Sequence, residues 1–149
     1  MLLDVVGWWR LVAWRRIVQG AETTYPLGEG ATGFIFYAPD GNMAVQMLAA
    51  DRSSISTSDA LGGTEAERAA AYSGCLAYFG RYAVEGNSVT HWVAGSLFPN
   101  WSGTTQVRPA ELRGDQLFLR TPPQPGPTGA VINEIEWTRS TDSGSYAAD

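Results

Sequence analysis

The chain has no lysine, a single cysteine, a single histidine and no apolar stretch that reads as a membrane span. Each shortage excludes something. All ten basic residues are arginines, scattered along the sequence and outnumbered by 15 acidic residues, for a net charge of −5. An acidic chain without a basic run lacks the phosphate-neutralising surface of a nucleic-acid binder, so no nucleic-acid partner is expected. Lone Cys75 has no internal disulfide partner, which favours a reducing compartment. One histidine and one cysteine far apart give no ligand spacing for a transition metal, so neither metal nor cofactor is expected. Asp4 and Arg10 interrupt the N-terminal apolar stretch, which has no basic start and no small-residue cleavage site. It therefore reads as neither signal peptide nor membrane segment, and the expectation is cytoplasmic with no membrane partner.

Eight short runs with strand chemistry fill the sequence: 8–18, 32–38, 43–49, 79–84, 88–97, 104–112, 116–121 and 130–139. Short turns such as Pro39-Asp40-Gly41-Asn42, Glu85-Gly86-Asn87 and Arg113-Gly114-Asp115 join sequential neighbours, which therefore pair antiparallel. The first run opens Gly7-Trp8-Trp9 and the last ends Trp137-Thr138-Arg139. A meander leaves its two outer strands unpaired unless they meet, and closure removes both edges at once. A tryptophan in the first strand and an arginine in the last can stack as they meet. The fold class is thus all-β, an eight-stranded antiparallel up-and-down barrel in one domain over 1–139, with 140–149 a flexible tail. Eight strands enclose either packed side chains or one small ligand.

Three interruptions qualify the pattern. Thr64-Glu65-Ala66-Glu67 is a capping box, and Ala69, Tyr72, Leu76 and Phe79 follow at helical spacing. They predict a helix of about four turns between strands three and four, placed to cap one mouth of the barrel. Pro109 implies a bulge or open edge in strand six, and the four prolines of 122–127 exclude strand and helix there. Gly28-Glu29-Gly30-Ala31-Thr32-Gly33 spells a dinucleotide fingerprint, but a strand follows it where a helix is needed, so it reads as a loop at the barrel mouth.

Gly7-Trp8-Trp9-Arg10-Leu11-Val12, the stretch from Gly33-Phe34-Ile35-Phe36-Tyr37 to Met43, and the closing Trp137-Thr138-Arg139 resemble the bacterial and fungal lipocalin-like domain family. The most specific part of that resemblance runs from His91 to Arg108. It implies an eight-stranded barrel with a lumen, in a group whose members often accompany small-molecule biosynthesis and whose related barrels include binders, isomerases and cyclases. Secreted lipocalins carry their helix after the last barrel strand and commonly hold disulfides. The departure from both features disfavours transport between cells.

His91 is the only side chain whose unperturbed pKa lies near neutrality. It shares a strand face with Val89 and Val93, while Thr90, Trp92 and Ala94 take the other, and alternation leaves open which face is lumenal. Both a structural histidine at the wall and a lumenal acid–base group fit this position. Arg108 shares a face with Gln106 and Thr104. Turned inward, it needs Glu134 or Glu136 as partner or grips an anionic or carbonyl group of a ligand; turned outward, it is a solvated surface group. Tyr37, Tyr78 and Tyr82 suit either the core or ligand orientation, and Met43 and Met47 share a face suited to an adaptable apolar wall. Trp101, a loop tryptophan, covers a barrel mouth or awaits a partner, which makes a homodimer plausible.

The resulting expectation is a barrel that takes a hydrophobic small molecule. In one form it catalyses a cofactor-free isomerisation, cyclisation or dehydration, with His91 moving a proton, Tyr37 and Arg108 polarising the same group, and Met43, Met47, Tyr78, Tyr82, Trp101 and Gln106 holding the ligand. In the alternative form it carries or sequesters the molecule unchanged. A barrel filled with its own side chains is the third possibility.

Overall fold

Nine strands and one helix follow each other as β1 (Gly7–Val18), β2 (Thr32–Tyr37), β3 (Asn42–Leu48), α1 (Glu65–Ser73), β4 (Cys75–Glu85), β5 (Ser88–Ser96), β6 (Thr105–Arg113), β7 (Gln116–Arg120), β8 (Gln124–Pro125) and β9 (Ala130–Arg139). The structure is a computed structural model and describes residues 3–140. Every pairing is antiparallel, in the order β1-β2-β3-β4-β5-β6-β7-β9, and β9 returns to pair with β1 from Trp9↔Arg139 to Val18↔Val131. The eight long strands therefore close on themselves as the two chain ends suggested. At the seam the Arg139 guanidinium lies 4.2 Å from the Trp9 ring centroid and donates to the Val6 and Asp4 carbonyls. Ser140 extends the seam with a bond to the Trp8 carbonyl; the tail expected beyond it, residues 141–149, lies outside the described residues.

Two irregularities set side-chain directions. A register shift between Leu11 and Ala13 reverses the alternation of β1, so that Trp14 turns into the lumen opposite Ile135 and Arg15 turns outward opposite Glu134. A second shift falls between Phe79 and Gly80, where a side chain at position 80 would collide with the Trp92 carbonyl. Glycine is required there by the close approach of the two backbones.

The predicted four-turn helix is shorter than its spacing suggests. The capping box forms as read, Thr64 with Glu67, but α1 ends at Ser73, and Gly74 closes it by donating to the Ala70 and Tyr72 carbonyls. Leu76 and Phe79 belong instead to β4, whose residues 75–81 pair with the whole of β3. Seven cross-strand positions outweigh a helical periodicity that only two residues, Leu76 and Phe79, carry beyond Ser73. Phe79 consequently points outward and covers Gly95.

The proline-rich stretch also differs from expectation. Gln124 and Pro125 form the two-residue β8 on the edge of β9, where an edge position spares Pro125 the N–H it lacks. At Pro109 the expected local opening coincides with a change of partner. Ser88↔Pro109 ends the β5 pairing and Ala110↔Leu119 begins that with β7.

The barrel interior is filled at one end only. Trp9, Tyr37, Met43, Val89, Ala110 and Leu117 are all buried, and all come from strand ends beside the tight hairpins. Val5 joins them from the N-terminal lead-in and accepts the Trp9 indole N–H at 2.8 Å. The longer connections, 19–31, 49–64, 97–104 and 121–129, gather at the other end, where Trp14, Tyr78, Trp101 and Trp137 line a hollow instead of filling it. Among the described residues no helix is long and apolar enough to cross a membrane.

Candidate functional site

The unfilled end is a cavity of about 660 Å³ opening under α1 and the turn at Pro99–Trp101. Ile35, Val45, Met47, Leu119 and Ile135 give it an apolar wall. Tyr72 and Ser73 at the end of α1 line it too, which puts the helix at the mouth as its sequence position suggested. Trp101 stands half-buried there, edge-on to Tyr78 and Phe98 at 5.8 and 5.6 Å, so it covers the opening. Phe98, its neighbour in the same loop, stays exposed.

Strand alternation, undecided from sequence, turns Val89, His91 and Val93 inward and leaves Trp92 exposed. His91 is 1% exposed and has a tyrosine on each ring nitrogen: Tyr37 Oη at 2.7 Å from Nε2 and Tyr78 Oη at 2.9 Å from Nδ1. Burial, reinforced by the Arg108 charge, lowers the histidine pKa to about 3. The imidazole is therefore neutral and carries one N–H. Tyr37 is fully buried and raised well above its ordinary pKa, chiefly by desolvation. Its only hydrogen-bond partner among the described residues is His91, so its O–H donates to Nε2. The imidazole proton then sits on Nδ1 and goes to Tyr78 Oη. That assignment leaves the Tyr78 O–H available to a guest. Burial also raises Tyr78, with Arg108 opposing the rise, and the phenol stays protonated.

Arg108 faces the lumen without either glutamate it was expected to need. Glu134 and Glu136 lie on the outer face of β9, held by Arg15 at 3.3 and 3.1 Å, and Glu134 also by Arg120 at 2.8 Å. The alternation of β9 decides this, because Asn133, Ile135 and Trp137 occupy its inner face. Arg108 instead donates to Gln106 Oε1 at 3.1 Å and to the Val107 carbonyl at 3.5 Å, both neutral acceptors. Gln106 in turn donates from Nε2 to Thr104 Oγ1.

Of the proposed ligand contacts, Met47, Tyr78, Trp101 and Gln106 line the cavity, as do His91 and Arg108. Tyr37, Met43 and Tyr82 do not. Tyr37 and Met43 belong to the filled end, and Tyr82 spends its hydroxyl on the Ala38 carbonyl at 2.8 Å while packing 4.6 Å from the Tyr37 ring. Each sits too close to the β2–β3 hairpin to reach the hollow half. Tyr37 thus stands behind His91 and away from the wall.

Sequence reasoning missed Trp137 as a site residue. Its indole is 1% exposed in the cavity wall, and its Nε1 is the one buried side-chain polar atom without a hydrogen-bond partner among the described residues. Leaving a buried donor of this kind without an acceptor costs about 1–3 kcal/mol. Alternation with Ile135 and Asn133 on β9 would have placed it inward, had the seam's register been known. The polar groups left over at this site are consequently donors: the Arg108 guanidinium, the Tyr78 hydroxyl and the Trp137 indole. No carboxylate lines the cavity. Among the described residues no cluster of histidine, cysteine and acidic side chains is arranged to hold a metal.

A closed antiparallel barrel, filled at its hairpin end and hollow at its loop end, is the lipocalin architecture. The lipocalin-like domain family matches residues 6–139, and the chain belongs to that family. Part of the chain is also similar to a 4'-hydroxy-3'-methoxypropiophenone carrier protein of Aspergillus oryzae, at 42% identity over 69 residues. The match takes in 41% of this chain and 62% of the carrier, so it spans less than two thirds of that relative's length.

Proposed function

We propose that this protein binds and carries a hydrophobic small molecule bearing oxygen acceptors, held in the hollow end of the barrel. The observation that carries this reading is the wall itself, apolar over most of its lining and furnished with donors, one of which, the Trp137 indole, has no acceptor among the described residues. A guest carbonyl, ether or hydroxyl oxygen supplies an acceptor for these donors. The similarity to a protein named as a carrier of an aryl ketone supports the same reading.

Titration of the protein with 4'-hydroxy-3'-methoxypropiophenone, followed by tryptophan fluorescence and calorimetry, tests it. The expected result is one-to-one binding about tenfold or more tighter than propylbenzene, which offers the ring without the oxygens. Val45→Trp, which fills the hollow from its apolar side, abolishes binding while the barrel still melts cooperatively. Equal affinity for ketone and hydrocarbon, or binding undiminished by Val45→Trp, places the guest elsewhere. Trp137→Phe is expected to narrow the preference for the ketone over its hydrocarbon by about fivefold, the worth of one neutral hydrogen bond. An unchanged preference removes the indole from recognition.

A second reading is favoured by one feature. The chain Tyr37–His91–Tyr78 reaches the cavity through bonds of 2.7 and 2.9 Å, and the Tyr78 hydroxyl at its end can give its proton to one guest atom while taking one back from another, which leaves no buried charge. On this reading the barrel catalyses a cofactor-free isomerisation, cyclisation or dehydration. The low basicity of His91 and the engagement of both its nitrogens favour carriage. Recovery of the bound compound unaltered after prolonged incubation supports the carrier; a product of changed mass that disappears with Tyr78→Phe supports the enzyme.

A further inference from the structure

We propose that the barrel takes its guest as an anion, the ionised form of an acidic phenol, enol or carboxylic acid, with Arg108 as counter-ion and the Tyr78 hydroxyl as second donor. The inference rests on the binding reading and narrows it to one charge state.

It follows from a charge balance around the cavity. Two arginines line the wall, and the guanidinium of one, Arg120, is engaged by Glu134 at 2.8 Å and Glu111 at 3.1 Å. The other, Arg108, makes no ion pair among the described residues; the groups it bonds, Gln106 Oε1, the Val107 carbonyl and the Tyr78 hydroxyl, are all neutral. The titratable groups of the wall are Tyr72 and Cys75 near the mouth and Tyr78 and His91 deeper in, with Tyr37 behind the histidine. His91 cannot share a positive charge with Arg108, because the two repel and the ring is buried. Tyr78 and Tyr37 cannot neutralise it, because both phenols are held protonated. The hollow half therefore carries one uncompensated positive charge against apolar walls.

A neutral carbonyl would accept a hydrogen bond there and leave that charge standing. An oxyanion removes it, and the weak screening of an apolar enclosure strengthens the attraction. On binding, the guest O–H bond breaks, its proton leaves to the buffer, and the electron pair stays on the oxygen facing Arg108 and the Tyr78 O–H. Nothing in the barrel needs to act as base, since the bulk solvent takes the proton before or during entry.

The test uses two probes, 4'-hydroxy-3'-methoxypropiophenone and its 4'-methyl ether, which cannot ionise. Phenolate absorbs at longer wavelength than phenol, so the charge state of the bound probe is read directly while pH is varied. The bound phenol is expected to titrate at least about one unit below its free value, a tenfold preference for the anion. Its apparent affinity rises with pH up to the free phenol's pKa, while that of the ether stays level. Arg108→Gln is expected to abolish the shift, with cooperative melting at the wild-type temperature reporting an intact barrel; Arg108→Lys keeps the charge and restores part of the shift. Binding of both probes with the phenol titrating at or above its free value overturns the anion inference and leaves the binding reading standing. Failure of both probes to bind saturably takes down the two together.

Discussion

Trp9→Ala is expected to lower the unfolding free energy by about 3–5 kcal/mol, the range for removing a fully buried large aromatic side chain. Three losses combine at this residue. The indole is 0% exposed, so its removal leaves a void in the filled end of the barrel. Its Nε1 donates to the Val5 carbonyl at 2.8 Å, which ties the N-terminal lead-in across the barrel floor. Its face receives the Arg139 guanidinium at 4.2 Å, a cation–π contact worth about 0.5–2 kcal/mol. Trp9 also pairs with Ile35 of β2 on one side and Arg139 of β9 on the other, so it stands where first and last strands join. At about 2–4 °C per kcal/mol for a chain of this size, the melting temperature drops by roughly 10 °C. Trp8→Ala is the natural contrast. Trp8 is 41% exposed and stacks on Phe36 at 4.3 Å outside the barrel, so its loss is expected to cost about 1 kcal/mol. Equal costs for the two tryptophans in urea unfolding would refute the assignment of Trp9 to the closing seam.

Acid is expected to weaken the fold through His91 before any carboxylate contributes. The ring titrates near 6.5 in an unfolded chain and at about 3 in the barrel, where burial comes first among the causes and the Arg108 charge second. A folded-state pKa below the unfolded one means that protons bind the unfolded chain preferentially. The stabilisation is complete above pH 6.5 and disappears as pH falls from there toward 3. At 1.36 kcal/mol per unit, about 2–3 kcal/mol is gone by pH 4.5. The carboxylates with lowered values, Asp40, Glu67 and Glu111, begin to lose their contribution only below their ordinary range near 4, so the window from 6.5 to 4.5 belongs to the histidine. Chemical denaturation at pH 7 and 4.5 measures it. His91→Gln offers an acceptor to Tyr37 and a donor to Tyr78 without titrating, and its stability is expected to stay nearly flat over the same interval. A wild-type protein equally stable at both values contradicts the buried, neutral imidazole.

Much of the architecture was legible because it rests on local signals. Tight-turn residues and alternating apolar runs marked the strands, and Thr64 with Glu67 marked the start of the helix. Where local signals conflicted with pairing, pairing prevailed. Leu76 and Phe79 left a helical periodicity for β4 because β3 offered backbone partners along its whole length. The site was less legible for a related reason. A strand with two apolar faces does not say which is inner, so His91 remained undecided until β4 and β6 flanked it. The pairing of Arg108 with Glu134 or Glu136 failed because the faces of β6 and β9 were assigned without a register. Trp137 was visible as part of the closing motif, yet an unpartnered indole is a property of its neighbours and not of its own residue type.

The sequence by itself determined that the chain closes into a barrel, since turn chemistry and two-residue alternation act over a few positions and leave little else for its ends to do. Only the tertiary structure decided that one half is filled and the other hollow, that a lone guanidinium faces the hollow, and that a histidine is locked neutral between two phenols. Those facts depend on which side chains from distant strands meet, and that is fixed by register and by the bulge in β1, to which no short stretch of residues gives access.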